Sequence, residues 1–223
     1  VVLRLGKGFS NIKVGGRSIK AGAAVSLAAV AEQAARNNLA GLEFASGIPG
    51  SVGGAVFMNA GAYGSEMQDV VLEASLYRPG KGVTILKNEE IGFSYRSSRL
   101  QKEEGIFLEV VLELSPGEEV QIREKMGELN ARRKNKQPLE YPSAGSTFKR
   151  PKGKFAGQLI EEAGLKGKRV GNAQVSLKHA GFIVNLGGAT AQEVLDLVEL
   201  VRVEVYNRAG LWLEPEIRIL GGE

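Results

Sequence analysis

The sequence predicts an α+β protein of two domains, and three observations carry that expectation. Strand-like and helical segments are mixed along the 223 residues. A helix is expected over residues 118–134, and a strong helical pattern from Thr190 onward places apolar residues at three- and four-residue spacing. Between them lies Gln137-Pro138-Leu139-Glu140-Tyr141-Pro142, where each proline biases its predecessor away from helix. The boundary is placed there, giving a domain over 1–138 and a smaller α+β domain over 139–223 with a final strand.

In chain order, short strands are expected over residues 1–5, 11–14 and 18–20, then a helix over 26–38 with Leu27, Val30, Ala31 and Ala34 on one face. Residues 41–64 change texture to glycine and small side chains. Residues 70–114 are strand-like, interrupted by Pro79-Gly80-Lys81-Gly82 and Asn88-Glu89-Glu90. A helix follows over 118–134, then the proline-bounded linker, expected to be extended. Beyond it, the pattern predicts a helix over 155–163 and strands over 173–177 and 181–186. A helix then opens with a capping box of Thr190 and Glu193 and carries Val194, Leu197, Val198, Val201 and Val205 as its apolar stripe. Gly210 is expected to end it, and residues 211–220 to form the last strand.

Composition narrows the chemistry. Hydrophobic residues make up 43% and charged residues 24%, as in ordinary globular proteins. With no cysteine, disulfides, thiolate nucleophiles, iron–sulfur clusters and cysteine zinc sites are excluded. No apolar run approaches the roughly 20 residues that span a bilayer, and a cytoplasmic location with no membrane partner is expected. The net charge of +4 favours anionic ligands but falls short of a nucleic-acid-binding signature. Arg132, Arg133, Lys134 and Lys136, then Lys149, Arg150, Lys152 and Lys154, form two basic clusters. They suit a diphosphate, or equally a solvated helix end whose cations complement its dipole.

Four segments could carry chemistry. Gly47-Ile48-Pro49-Gly50-Ser51-Val52-Gly53-Gly54, running on to Asn59-Ala60-Gly61-Ala62-Tyr63-Gly64, lets the backbone approach a ligand closely and aim N–H groups at it; a plain tight turn is the simpler reading. It is neither a Walker A loop nor a Rossmann fingerprint. Gly6-Lys7-Gly8-Phe9-Ser10-Asn11 looks like a phosphate loop, but no helix follows. In Phe93-Ser94-Tyr95-Arg96-Ser97-Ser98, Arg96 could grip a carboxylate in bidentate fashion or simply sit on a strand edge. Ser146 lies in Ser143-Ala144-Gly145-Ser146-Thr147-Phe148. With no nucleophile elbow and a single histidine, His179, it is a poor candidate for a hydrolase serine. A turn hydroxyl capping the next helix is the alternative. In Leu213-Glu214-Pro215-Glu216-Ile217-Arg218, strand alternation puts Glu214, Glu216 and Arg218 on one face, either into a cleft or along an exposed salt-bridged edge.

Taken together and in this order, Ile48 to Gly54 with Asn59 to Gly64, Tyr95-Arg96-Ser97-Ser98, Gly145-Ser146-Thr147-Phe148-Lys149-Arg150-Pro151, Lys178-His179-Ala180-Gly181-Phe182-Ile183-Val184-Asn185, and Glu214-Pro215-Glu216-Ile217-Arg218 resemble the UDP-N-acetylenolpyruvoylglucosamine reductase family in its shorter form. The resemblance implies an FAD-binding lobe followed by a substrate-binding domain. It implies FAD as cofactor, NADPH as hydride donor, and reduction of UDP-N-acetylglucosamine enolpyruvate to UDP-N-acetylmuramate for peptidoglycan, by a monomer. Ile48, Pro49, Gly50, Ser51, Gly53, Gly54, Asn59, Gly61 and Ala62 would face FAD. Ser146 would be the proton donor, Glu216 a cooperating acid and Arg96 the stabiliser of the substrate carboxylate, with Tyr95, Lys136, His179 and Arg218 as substrate contacts.

The resemblance implies an additional N-terminal FAD-binding stretch with its own phosphate loop, ahead of the point where this sequence begins, so the chain as given is expected to bind FAD weakly or not at all unless the natural protein has that part. Two other functions are compatible with the same residues: another flavin oxidoreductase of the same fold, and a non-catalytic nucleotide-sugar binding module.

Overall fold

The computed structural model describes residues 3–221, and the chain divides into two compact units, Val1–Arg132 and Arg133–Glu223. In chain order the first unit contains β1 (Ile12–Gly15), β2 (Ser18–Gly22), α1 (Leu27–Arg36), β3 (Leu39–Ala40), α2 (Val52–Phe57), β4 (Gly61–Ala62) and β5 (Ser65–Glu66). It continues with β6 (Val71–Arg78), β7 (Gly82–Lys87), α3 (Asn88–Ile91), β8 (Ile106–Glu113) and β9 (Ser115–Pro116). Helix α4 (Glu119–Lys136) leads into the second unit.

Five of these strands form an antiparallel sheet in the order β1-β2-β8-β6-β7. Its register sets Ile19 opposite Leu112 and Ala21 opposite Val110. These side chains lie on one face because strand side chains alternate, and they are buried with Ala74 and Leu76 of β6. Leu27, Val30, Ala31 and Ala34 of α1 close this core, as their spacing predicted, together with Val52 and Val56 of α2. Ser26 caps α1, its hydroxyl accepting the Ala29 N–H at 3.1 Å. Glu32 on α1 accepts from Arg36 at 2.8 Å and from Arg123 of α4 at 2.9 Å. Arg123 first and Arg36 second hold its carboxyl down to about 2.

The second unit contains β10 (Ser143–Ser146), α5 (Ala156–Glu162), β11 (Arg169–Val170), β12 (Ala173–Val175), β13 (Phe182–Asn185) and α6 (Ala191–Ala209). Its sheet order is β10-β13-β12-β11. Leu197, Val198, Val201 and Val205 of α6 are buried in one core with Ala173, Val175 and Ile183, while Val194 packs at its margin. The Thr190–Glu193 capping box forms, and Gly210 ends the helix in the left-handed conformation at φ 65°. Among the described residues, no helix is long and apolar enough to cross a membrane.

Several expectations fail locally. Residues 1–2 lie outside the described part, and residues 3–5 are not strand. The linker is not simply extended, since the Tyr141 N–H turns back to the Pro138 carbonyl at 3.3 Å. The final strand over 211–220 reduces to one bridge, Phe148 opposite Pro215. Proline has no N–H to continue a ladder, and it is tolerated here because the pair is flanked, not joined, by hydrogen bonds. The Lys149 N–H donates to the Glu214 carbonyl and the Glu216 N–H to the Thr147 carbonyl. Conversely, Ser143 to Ser146, read as a turn, is the edge strand β10, and α5 begins only after Phe155, so Ser146 caps no helix.

Candidate active site

Each unit carries part of the residue set picked out above, with Tyr95, Arg96 and the glycine segment in the first and Lys136, Ser146, His179, Glu216 and Arg218 in the second. The glycine segment opens α2, where the Ser51 hydroxyl accepts the Gly54 N–H at 3.2 Å. Gly53 lets α2 lie directly on the end of β2, because a Cβ there would meet the Ala23 Cβ at 2.8 Å. Ile48 is half-buried and packs against the first core, and Ala62 is likewise half-buried. Pro49, Gly50 and Gly54 are exposed. At Gly50 the backbone has φ 135°, and nothing lies within 4 Å of where a Cβ would stand. The bare backbone around Gly50 leaves room for close approach of a group such as FAD.

Asn59 joins this segment to the next motif. It is fully buried, its Nδ2 donates to the Ser94 carbonyl at 3.1 Å, and its Oδ1 accepts the Gln68 N–H at 2.9 Å. Its backbone is left-handed, at φ 44°, which asparagine tolerates better than most residues. Asn59→Ala is expected to lower stability by about 1–3 kcal/mol by orphaning these groups. Thermal or denaturant unfolding checks this, and an unchanged midpoint would contradict the role.

Ser94 and Ser97 bond each other in both directions at 3.0 Å, so Tyr95 and Arg96 form the tip of a tight turn. Arg96 sits at φ 52°, where an L side chain is strained by about 1–3 kcal/mol. The surroundings hold it there. Gln101 Nε2 donates to the Arg96 carbonyl at 2.9 Å and to the Phe57 carbonyl at 3.2 Å, and the Ser98 hydroxyl donates to the same Phe57 carbonyl at 2.8 Å. The Arg96 guanidinium donates to the Gly61 carbonyl at 3.0 Å and lies 5.1 Å from the centre of the Tyr95 ring. One of the glycine-segment residues therefore orients the arginine. Gln101 was invisible as a positioning residue in the sequence, since only folding brings its amide to these carbonyls.

In the second unit, Ser146 is exposed at the end of β10. The next residue, Thr147, is buried; its N–H donates to the Gly181 carbonyl at 2.8 Å, and its carbonyl accepts the Glu216 N–H at 2.9 Å. The strand bearing Ser146 thus lies between β13 and the segment bearing Glu216. Glu216 is half-buried and Arg218 exposed, whereas Glu214 is engaged by Lys149 in an ion pair. Lys136 is exposed in the last turn of α4 with Arg133 and Lys134. At this helix end Lys178, from outside the cluster, donates through Nζ to the Lys134 carbonyl at 2.8 Å.

His179 lies edge-on to Phe182, ring centres 5.0 Å apart, and its Nδ1 accepts the Gly181 N–H at 3.1 Å. Only a ring unprotonated at Nδ1 can accept that bond. Burial pushes its pKa below the usual histidine value, and Lys166 and Lys136 act in the same direction. With the folded pKa depressed, the neutral ring favours folding. That contribution is complete above the unfolded pKa of about 6.5 and is lost as pH falls through the folded value. The wild-type melting temperature should therefore fall more steeply on acidification than that of His179→Gln, and parallel curves would contradict this.

The comparisons with known proteins follow the same division. The profile of "UDP-N-acetylenolpyruvoylglucosamine reductase, C-terminal domain" matches residues 137–220, and that of "FAD binding domain" matches residues 1–85. The UDP-N-acetylenolpyruvoylglucosamine reductase of Caldanaerobacter subterraneus subsp. tengcongensis is 52% identical over 221 residues, covering 99% of this chain and 73% of that protein. The enzyme of the same name from Latilactobacillus sakei is 51% identical over 213 residues, covering 96% and 70%. The crystal structure of UDP-N-acetylenolpyruvylglucosamine reductase (MurB) from Thermus caldophilus matches with a TM-score of 0.86 at 42% identity, covering 96% of this chain and 76% of that one. On this identity, coverage and fold, the chain belongs to the UDP-N-acetylenolpyruvoylglucosamine reductase family of FAD-dependent oxidoreductases.

Proposed function

We propose that the chain reduces the enolpyruvyl group of UDP-N-acetylglucosamine enolpyruvate to give UDP-N-acetylmuramate for peptidoglycan, with NADPH as hydride donor and Arg96, Ser146 and Glu216 as catalytic residues. The observation that carries this reading is the backbone pairing around Thr147, which sets the segment bearing Glu216 beside the strand bearing Ser146.

FAD would be held by the glycine segment from Ile48 to Gly54 with Asn59, Gly61 and Ala62, and once reduced by NADPH it would supply the hydride for the terminal vinyl carbon of the substrate. Negative charge then develops on the neighbouring carbon and spreads into the substrate carboxylate as an enolate. Arg96, oriented by the Gly61 carbonyl and the Tyr95 ring, stabilises that charge where it forms. Glu216, when protonated, adds a hydrogen bond to the same charge. Ser146 delivers its hydroxyl proton to the carbon. A serine hydroxyl is a weak acid, but the enolate is strongly basic, so a well-placed donor is adequate. Lys136, His179 and Arg218 contact the anionic nucleotide sugar. The enzyme acts in the cytoplasm as a monomer.

The test is anaerobic mixing of the full-length, photoreduced holoenzyme with the enolpyruvyl nucleotide sugar. Return of oxidised-flavin absorbance together with formation of the lactyl ether supports the reading, and persistence of reduced flavin overturns it.

A further inference from the structure

Beside Ser146, the pairing of β10 with β13 is irregular. Ser143 is opposite Val184 and Ser146 is opposite Phe182, so β10 carries one more residue than β13 across this interval. Gly145 takes up the excess at φ 84°. Such a bulge redirects side chains and disrupts the ladder locally. Across it the Ile183 N–H of β13 donates to the Thr147 hydroxyl oxygen at 3.1 Å. Thr147 thus makes three bonds at once: its N–H to Gly181, its carbonyl from Glu216 and its hydroxyl oxygen from Ile183. It is 2% exposed, so water does not replace any of them readily. Gly181 is itself tethered, since its N–H donates to His179 Nδ1.

We propose that Thr147 is a positioning residue: its side-chain hydroxyl closes the bulge in β10 and so fixes where Ser146 presents its proton relative to the Glu216 segment. The hydroxyl does not touch the reacting atoms in this scheme and acts through the backbone on either side of it. A shift of the β10 bulge by a fraction of an ångström leaves the bulk of the substrate contacts in place but moves the proton donor, and proton transfer is the step most sensitive to position. The proposal rests on Ser146 being the proton donor.

The experiment uses full-length holoenzyme and compares Thr147→Val, Thr147→Ala, Thr147→Ser and Ser146→Ala in two half-reactions, flavin reduction by NADPH and reoxidation of reduced flavin by the enolpyruvyl nucleotide sugar. Val keeps the shape and removes the acceptor, Ala removes the acceptor and leaves room around the Ile183 N–H, and Ser restores the hydroxyl. The expected result is reoxidation slowed by about 10²-fold in Val and Ala, with NADPH-driven reduction and substrate affinity unchanged, and recovery in Ser. Should Val fail to give holoenzyme, Ala carries the same comparison. Fast reoxidation in Val or Ala, equal slowing of both half-reactions, or a Ser variant as slow as Val would each overturn the role of Thr147. A slow Ser146→Ala beside a fast Thr147→Ala overturns Thr147 alone, whereas a fast Ser146→Ala overturns the proton-donor assignment on which it rests.

Discussion

Ser146→Ala in the full-length holoenzyme is expected to slow reoxidation of reduced flavin by the enolpyruvyl nucleotide sugar by about 10²–10⁴-fold, the span associated with losing a positioned general acid. Reduction of the flavin by NADPH should be unchanged, because no proton passes through Ser146 in that half-reaction. The substitution removes one exposed oxygen from the end of β10, so the surrounding hydrogen bonds made by Thr147 remain and the melting temperature should barely move. Stopped-flow absorbance on the two half-reactions separates the effects. Equal slowing of both would remove Ser146 from the role and point to a general loss of the folded site.

Arg96→Lys is expected to lower kcat/KM by about 10²–10³-fold, comparable to removal of a single preorganised donor to a developing oxyanion. Lysine keeps the positive charge, so a loss of this size would show that geometry matters and not charge alone. The guanidinium is planar, donates to the Gly61 carbonyl at 3.0 Å and lies 5.1 Å from the centre of the Tyr95 ring, and these contacts orient its plane. An ammonium is a point charge on a flexible stem and cannot present a paired edge to a carboxylate. The strained backbone at φ 52° has the same implication, since a glycine or asparagine would occupy that turn position more comfortably. Steady-state kinetics check the size of the loss, and a variant within a few-fold of wild type would place the carboxylate elsewhere.

How much of this was legible beforehand depended on the range of the interaction concerned. The α6 capping box and its glycine stop formed as read, because a cap needs only residues three or four positions apart. The apolar face of α1 was likewise legible. The last strand was not: alternation within Leu213 to Arg218 looked sufficient, but Pro215 limits the pairing to one bridge. β10 was missed because Ser143-Ala144-Gly145-Ser146 has neither apolar alternation nor β-branched residues. It is strand only because it pairs with β13.

The candidate site divides in the same way. Sequence by itself supplied the candidate site residues, the expectation of two parts and the family resemblance, because those depend on the identity and order of short motifs. It also determined the absence of thiol chemistry. Only the tertiary structure decided that Arg96 is held left-handed by Gln101 and aimed by Gly61, that Asn59 is a buried tie, and that Thr147 joins the strand of Ser146 to the segment of Glu216. The physical reason is that these are hydrogen bonds between partners distant in the chain. Their acceptors are mostly backbone carbonyls, which every residue has and no sequence motif can mark.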